Sequence, residues 1–164
     1  MTKILIIANR EFKKLCVLCV SARNFFFFLA EAQRAQRKDM HENDIAREIV
    51  DSSYKVHTSL GPGLLESVYE AAMAYELQKR GLLVNRQVPL PVIYGEVRLE
   101  EGFRADLVVG GKVMVELKSV DRIGDVHKKQ LLTYLKLTGM KLGLLINFNE
   151  ALIKDGITRI VNKL

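Results

Sequence analysis

The residues best suited to chemistry lie in "RADLVVGGKVMVELKSV", Arg104 to Val120, where Asp106, Glu116 and Lys118 interrupt two apolar runs around a Gly-Gly turn. Whether they meet depends on the hairpin register. With a two-residue turn at Gly110 and Gly111, Val109 faces Lys112, Leu107 faces Met114 and Ala105 faces Glu116, so polar and apolar groups share faces. With a three-residue loop, Gly110 to Lys112, the pairs become Val109 with Val113, Leu107 with Val115 and Ala105 with Leu117, and one face is uniformly apolar. A one-residue slip turns every side chain over, so the buried face selects the three-residue loop.

That register sets Asp106 opposite Glu116 on the other face, with Lys118 two residues along. Directly opposed like charges destabilise a sheet unless something compensates them. A divalent cation would do so, and paired carboxylates form a hard-oxygen site suited to Mg²⁺ or Mn²⁺. A neighbouring lysine can position or deprotonate a water, or offset charge developing on a phosphorane. Together these are the parts of metal-assisted phosphodiester hydrolysis. The structural alternative is a Glu116–Lys118 ion pair on a solvated sheet face, with Asp106 paired to Arg104.

The surrounding pattern says what positions them. Ile45, Ile49 and Val56 recur at helical spacing from Glu42 to about Thr58. After "GPG", a second helix from about Gly63 to Arg80 is expected to face inward through Leu65, Val68, Ala72, Tyr75 and Leu64, ending at Gly81. "LLVNRQVPLPVIY" favours a strand, which Pro89 and Pro91 restrict to a sheet edge. "YGE" turns the chain into "VRLEEGFRADLVV", and "KVMVELKSV" follows the Gly-Gly loop. "DVHKKQLLTYLKLTG" is helical, with Val126, Leu131, Leu132 and Leu135 as its stripe, and "KLGLLINF" reads as a strand buried on both faces. Asp155-Gly156 signals a closing hairpin turn.

Asp106 and "ELK" on the second and third strands of this order resemble the PD-(D/E)xK nuclease superfamily. "GLLESVY", Gly63 to Tyr69, reads as the signature of the bacterial GxxExxY proteins placed in it. The resemblance runs from about Ile45 to Val161 and includes "RADLVV", "VELKSV", "QLLTYLKLTG" and "GLLINF" in order. It implies an α/β, restriction-endonuclease-like αβββαβ core, a central mixed sheet flanked by helices. It also implies metal-binding acids at Asp106, Glu116 and Glu66, a catalytic lysine at Lys118, Mg²⁺ or Mn²⁺ as cofactor and DNA as substrate. Gln130 and Tyr134 match a Q-x-x-x-Y element and share a helical face. Gln130 is expected to orient Lys118 or contact a phosphate. Tyr134 either contacts the substrate backbone or fills the core, and Tyr69 either packs or touches substrate. Ala105 stands where many relatives carry proline before the acid. A fold that keeps these residues can also serve as a non-cleaving nucleic-acid- or protein-binding module.

Composition narrows the alternatives. The chain has 164 residues, enough for one core, and a net charge of +6. Residues 1–40 carry eight Lys or Arg against three Asp or Glu; residues 41–164 carry seventeen against sixteen. Basicity is thus confined to the first segment, and DNA binding must rest on local geometry. That segment, with its "TKILIIAN" strand pattern and "LAEAQRAQRKD" helix pattern, is an atypical N-terminal extension to a domain at 41–164. Met40 directly precedes a well-formed helix and is an alternative start. The apolar run after Lys13 and Lys14 is about six residues, short for a signal peptide.

Cys16 and Cys19 lack the partners of a zinc site, and nothing suggests a disulfide framework, so a reducing cytoplasm is expected. No apolar run reaches the roughly 18 residues of a spanning helix. A homodimer would enlarge the basic surface. Lys128 and Lys129 beside His127 either meet phosphates or form a solvated face, His57 either reaches the metal or substrate or is structural, and His41 is terminal to the domain. The glycines near Pro62 lack the phosphate-loop pattern, and no serine, histidine and acid set points to acyl transfer.

Overall fold

The computed structural model describes residues 40–164. The strand, helix and cysteine expectations for residues 1–39 lie outside the described residues. The elements are α1 (Glu42–Leu60), α2 (Glu66–Lys79), β1 (Val84–Tyr94), β2 (Val97–Val109), β3 (Val113–Lys118), α3 (Asp125–Thr138), β4 (Leu142–Asn147), α4 (Ile153–Gly156) and β5 (Ile157–Val161). The strands form one sheet in the order β1-β2-β3-β4-β5, antiparallel except for β3 beside β4. Helix α3 links these two parallel strands, as a parallel pair requires. The αβββαβ order and the flanked mixed sheet are as the sequence implies.

The sheet separates two apolar layers. Ile45 and Ile49 of α1, and Tyr69, Met73 and Leu77 of α2, pack on Leu107, Val109, Val113, Val115, Leu117, Leu144 and Ile146. On the opposite face Leu131, Tyr134 and Leu135 of α3 cover Leu90, Val108, Met114 and Leu145. Burying each of the larger side chains contributes on the order of 1.5–3 kcal/mol. Strand β4 is buried throughout, which explains its continuous apolar sequence. Pro89 and Pro91 fall on β1, an edge strand, where a missing N–H is tolerated.

The hairpin has the three-residue loop: Val109 pairs with Val113, and Leu107 with Val115. Gly110 and Gly111 both adopt left-handed φ, +62° and +68°. A Cβ on Gly110 would also stand 2.8 Å from Cδ1 of Ile45.

Four expectations are corrected. The stripe of α2 that faces the core is Tyr69, Met73 and Leu77; Leu65, Val68 and Tyr75 are exposed. The helix carries two apolar stripes of helical period, and periodicity alone does not choose between them. Val126, in the first turn of α3, is exposed, and the buried stripe of the helix is Leu131, Tyr134 and Leu135. Asp155 and Gly156 do not form a two-residue turn. They lie in the short α4, from which β5 starts.

The β2–β3 ladder ends at Leu107–Val115, so neither the Ala105–Leu117 pair nor the expected Asp106–Glu116 pair is made. Ala105 packs instead with Leu90 and Tyr134 on the α3 face. β2 therefore changes facing at Asp106, alongside Gln87, a non-glycine residue at φ +48°.

Candidate active site

The splaying of β2 from β3 leaves the Leu117 N–H without a strand partner, and Asp106 supplies one. Its Oδ2 accepts that N–H at 2.8 Å. On β3 the alternation that buries Val115 and Leu117 against the helices sends Glu116 and Lys118 to the other face, where Lys118 Nζ donates to Glu116 Oε1 at 2.7 Å. This is the ion pair of the structural alternative, but it is not solvated: the two side chains are only 15% and 4% exposed. Glu116 Oε2 is buried and has no hydrogen-bond partner. Leaving a carboxylate oxygen in that condition is costly.

The N-terminus of α2 brings Glu66 to the end of β3. Its Oε1 accepts the Ser119 N–H at 3.0 Å, and Ser119 Oγ donates to the Leu64 carbonyl at 2.7 Å. One turn later, buried Glu70 accepts from Arg86 Nε at 2.8 Å and from Gln87 Nε2 at 2.7 Å. Gln87 Nε2 also reaches Asp106 Oδ1 at 3.4 Å, so α2 is connected to the acid through the kinked edge strand. From β4, Asn147 accepts the Val120 N–H at 3.0 Å and donates to the Val120 carbonyl at 2.7 Å, while the Phe148 N–H donates to the Lys118 carbonyl at 2.8 Å. The segment after Lys118 is thereby held from both sides.

The electrostatics follow from this packing. Burial pushes the Asp106 carboxyl above its ordinary value, against the pull of the Leu117 N–H and the Lys118 charge; Glu70 and Glu66 add to the rise. Burial and then repulsion from Asp106 push Glu116 up. Burial disfavours the Lys118 ammonium, but the hydrogen bond and charge of Glu116 outweigh it and raise its pKa. Lys118 is thus an ammonium at neutral pH and acts as a donor.

The PD-(D/E)XK nuclease superfamily profile matches residues 43–160, most of the chain and all of this constellation. The chain belongs to that superfamily. No curated protein matches it. Among solved structures it is similar to an alkaline exonuclease (LHK-Exo) from Laribacter hongkongensis, at 14% identity over 75% of this chain and 83% of that one, with a TM-score of 0.37. The LHK-Exo complex with dAMP is similar at 16% identity over the same shares, also with a TM-score of 0.37. So distant a likeness says nothing of this chain's own chemistry.

Members of the PD-(D/E)XK superfamily generally use divalent metals, and the donor set here fits one. Asp106, Glu116 and Glu66 would offer hard carboxylate oxygens, Glu116 Oε2 is unpartnered, and the two sheet acids are held above their ordinary pKa by burial and, at Glu116, by repulsion from Asp106 that a cation would relieve. Among the described residues no three such side chains already stand close enough together to hold an ion. Glu66 Oε1 accepts from Ser119 and Glu116 Oε1 from Lys118.

Of the remaining sequence candidates, Gln130 donates to the hydroxyl of Tyr134, not to Lys118. Tyr134 is 2% exposed and lies in the core of the α3 face. Tyr69 is wholly buried: it stacks on Phe148 at 4.3 Å, donates to the Gly61 carbonyl at 2.7 Å and accepts the Leu64 N–H at 3.1 Å. Of its two open roles, packing is the one this environment allows. Lys128 and Lys129 are exposed on α3, with Lys128 3.9 Å from Asp125. His57 binds the Glu150 carbonyl at 2.9 Å, and His41 caps α1 by accepting the Asn43 N–H.

Glu70, Gln87, Ser119 and Asn147 were not singled out from the sequence. Asn147 had a signal, a polar residue ending an apolar run. Gln87 had none, because its role comes from a backbone kink.

Proposed function

We propose that this protein is a divalent-metal-dependent nuclease that hydrolyses phosphodiester bonds in DNA. The observation that carries the reading is the buried, unpartnered Glu116 oxygen beside Asp106 and Lys118 on a superfamily nuclease core. Mg²⁺ or Mn²⁺, held by Asp106, Glu116 and Glu66, would supply Lewis-acid activation and offset phosphate charge. The chain's own residues do the rest. The Leu117 N–H fixes the Asp106 carboxylate, and the Asn147 and Phe148 contacts hold the backbone beyond Lys118. Lys118, as an ammonium, donates to the reacting phosphate or the attacking water and offsets the negative charge that builds there. Gln130 presents its amide beside Tyr134, and Lys128 and Lys129 offer charge to the backbone of the substrate. On this reading the catalytic unit is residues 41–164, working in the cytoplasm alone or as a homodimer.

The test is incubation of the purified protein with Mg²⁺, with Mn²⁺ and with chelator, against supercoiled, linear, single-stranded and branched DNA, beside Lys118→Ala prepared identically. Cutting that needs metal and vanishes in the variant is expected. No cutting of any substrate would refute the reading.

One observation favours a second reading, a binding module that does not cleave. Residues 41–164 are nearly neutral, and nonspecific DNA affinity leans on phosphate neutralisation. Calorimetry separates the two: the nuclease binds Mn²⁺ in the wild type and loses it in Asp106→Ala, whereas a pure binding module has no such dependence.

A further inference from the structure

A groove opens on the α3 face of the sheet, lined by Phe103, Val126, Lys129, Gln130, Thr133 and Tyr134. Phe103 is 46% exposed and Val126 67% exposed, and each leaves apolar surface in water. A single exposed hydrophobic residue is ordinary. Here the two line a slot with a buried tyrosine and a rim of lysine, amide and hydroxyl, the composition of a ligand site rather than of a solvated face.

The position of Phe103 is built into the backbone. Phe103 pairs with Leu90 just before the β1–β2 register shifts between Leu90 and Val92. At that irregularity Gly102 lies so close to β1 that a Cβ would stand 2.0 Å from the Leu90 carbonyl oxygen, so no larger residue fits. Bulges of this kind re-aim the side chains next to them. The Phe103 ring is set over Tyr134, with centroids 5.0 Å apart and planes tilted by 42°. Tyr134 belongs both to the groove lining and to the buried cluster that contains Ala105, the residue before Asp106. Its hydroxyl is pushed up in pKa by burial, eased by Gln130, and raised further by the negative charges of Glu116 and Asp106.

We propose that the groove between Phe103 and Val126 receives an unpaired nucleobase of the strand whose backbone lies at Asp106, Glu116 and Lys118. This rests on the nuclease reading and narrows it to single-stranded or frayed nucleic acid. Every base has a flat π-face that an aromatic ring can cover without regard to sequence, whereas a paired and stacked duplex hides those faces. Lys129 on the groove wall supplies the cation that the phosphate beside such a base calls for.

The experiment uses the full chain carrying Lys118→Ala, so that substrate stays uncut, with a single-stranded oligonucleotide containing 2-aminopurine and the matching blunt duplex. Tighter binding of the single strand is expected, with quenched 2-aminopurine fluorescence. Adding Phe103→Ala should weaken single-strand binding on the order of tenfold and abolish the quenching, while Phe103→Trp keeps both. Val126→Glu, at an exposed position where folding is not at stake, should weaken it as well. Unchanged affinity in both Phe103→Ala and Val126→Glu would overturn the proposal. So would a change of oligomeric state in Phe103→Ala with DNA binding intact, which would assign the groove to self-association. Metal-dependent cutting by the wild type alongside that result would leave the nuclease reading standing. Failure of the parent to bind either oligonucleotide, with no cutting by the wild type, would remove both.

Discussion

The Asp106 carboxylate accepts the Leu117 backbone N–H at 2.8 Å, at the point where β2 and β3 stop pairing. A candidate catalytic acid thus takes the place of a strand carbonyl. The opening of the sheet and the fixing of the acid are one feature.

Asp106→Asn keeps an acceptor for that N–H, and Asp106→Ala does not. Leaving a buried donor unsatisfied costs about 1–3 kcal/mol. The Asn variant is expected to melt above the Ala variant, with both inactive, in denaturation curves measured side by side.

The raised carboxyl pKa values fix a sign for pH dependence. A carboxyl whose folded pKa exceeds its unfolded value keeps its proton longer in the native state, so wild-type stability falls as pH rises from the ordinary values, 3.8 for Asp106 and 4.5 for Glu116, through the raised ones. Lys118 adds nothing in that window. Its raised pKa gives stability that is full below 10.5 and lost only as pH rises through the folded value. The double variant Asp106→Asn, Glu116→Gln should therefore melt above wild type at pH 8, with the advantage gone well below pH 3.8. Thermal melts across that range check it.

Mn²⁺ should raise the melting temperature of the wild type and leave that double variant unmoved. At a hundredfold excess over the dissociation constant the gain is about 2.7 kcal/mol. An equal shift in both proteins would mean the ion binds elsewhere.

Glu116→Ala and Lys118→Ala should keep a cooperative melt while losing cleavage. Removing one charge-stabilising donor costs about a hundred- to a thousandfold in kcat, which sets the scale for Lys118. Loss of the melt in both variants would make the pair a structural ion bridge.

Tyr69→Phe removes the hydroxyl that ties Gly61 to Leu64 while leaving the ring on Phe148. A cost of roughly 1 kcal/mol is expected from equilibrium unfolding. No change would show that the loop before α2 is held by other contacts.

The sequence by itself determined the element order as far as β4, the edge position of the proline strand, the three-residue hairpin and the shared face of Glu116 and Lys118 on β3. Each follows from short-range rules: a strand period of two, a glycine in a left-handed turn, a proline without a donor. What only the tertiary structure decided is how those elements meet. Tyr69 and Leu65 belong to equally periodic stripes, and packing on the sheet chose the one with Tyr69. Ala105 left its expected partner because β2 opens from β3, at the point where Gln87 takes a positive φ and Asp106 accepts the Leu117 N–H. The unpartnered oxygen of Glu116 and the link from Glu70 through Gln87 to Asp106 likewise exist only once α2, β1 and β3 are assembled, since burial and hydrogen bonding between distant segments have no period for a sequence to display.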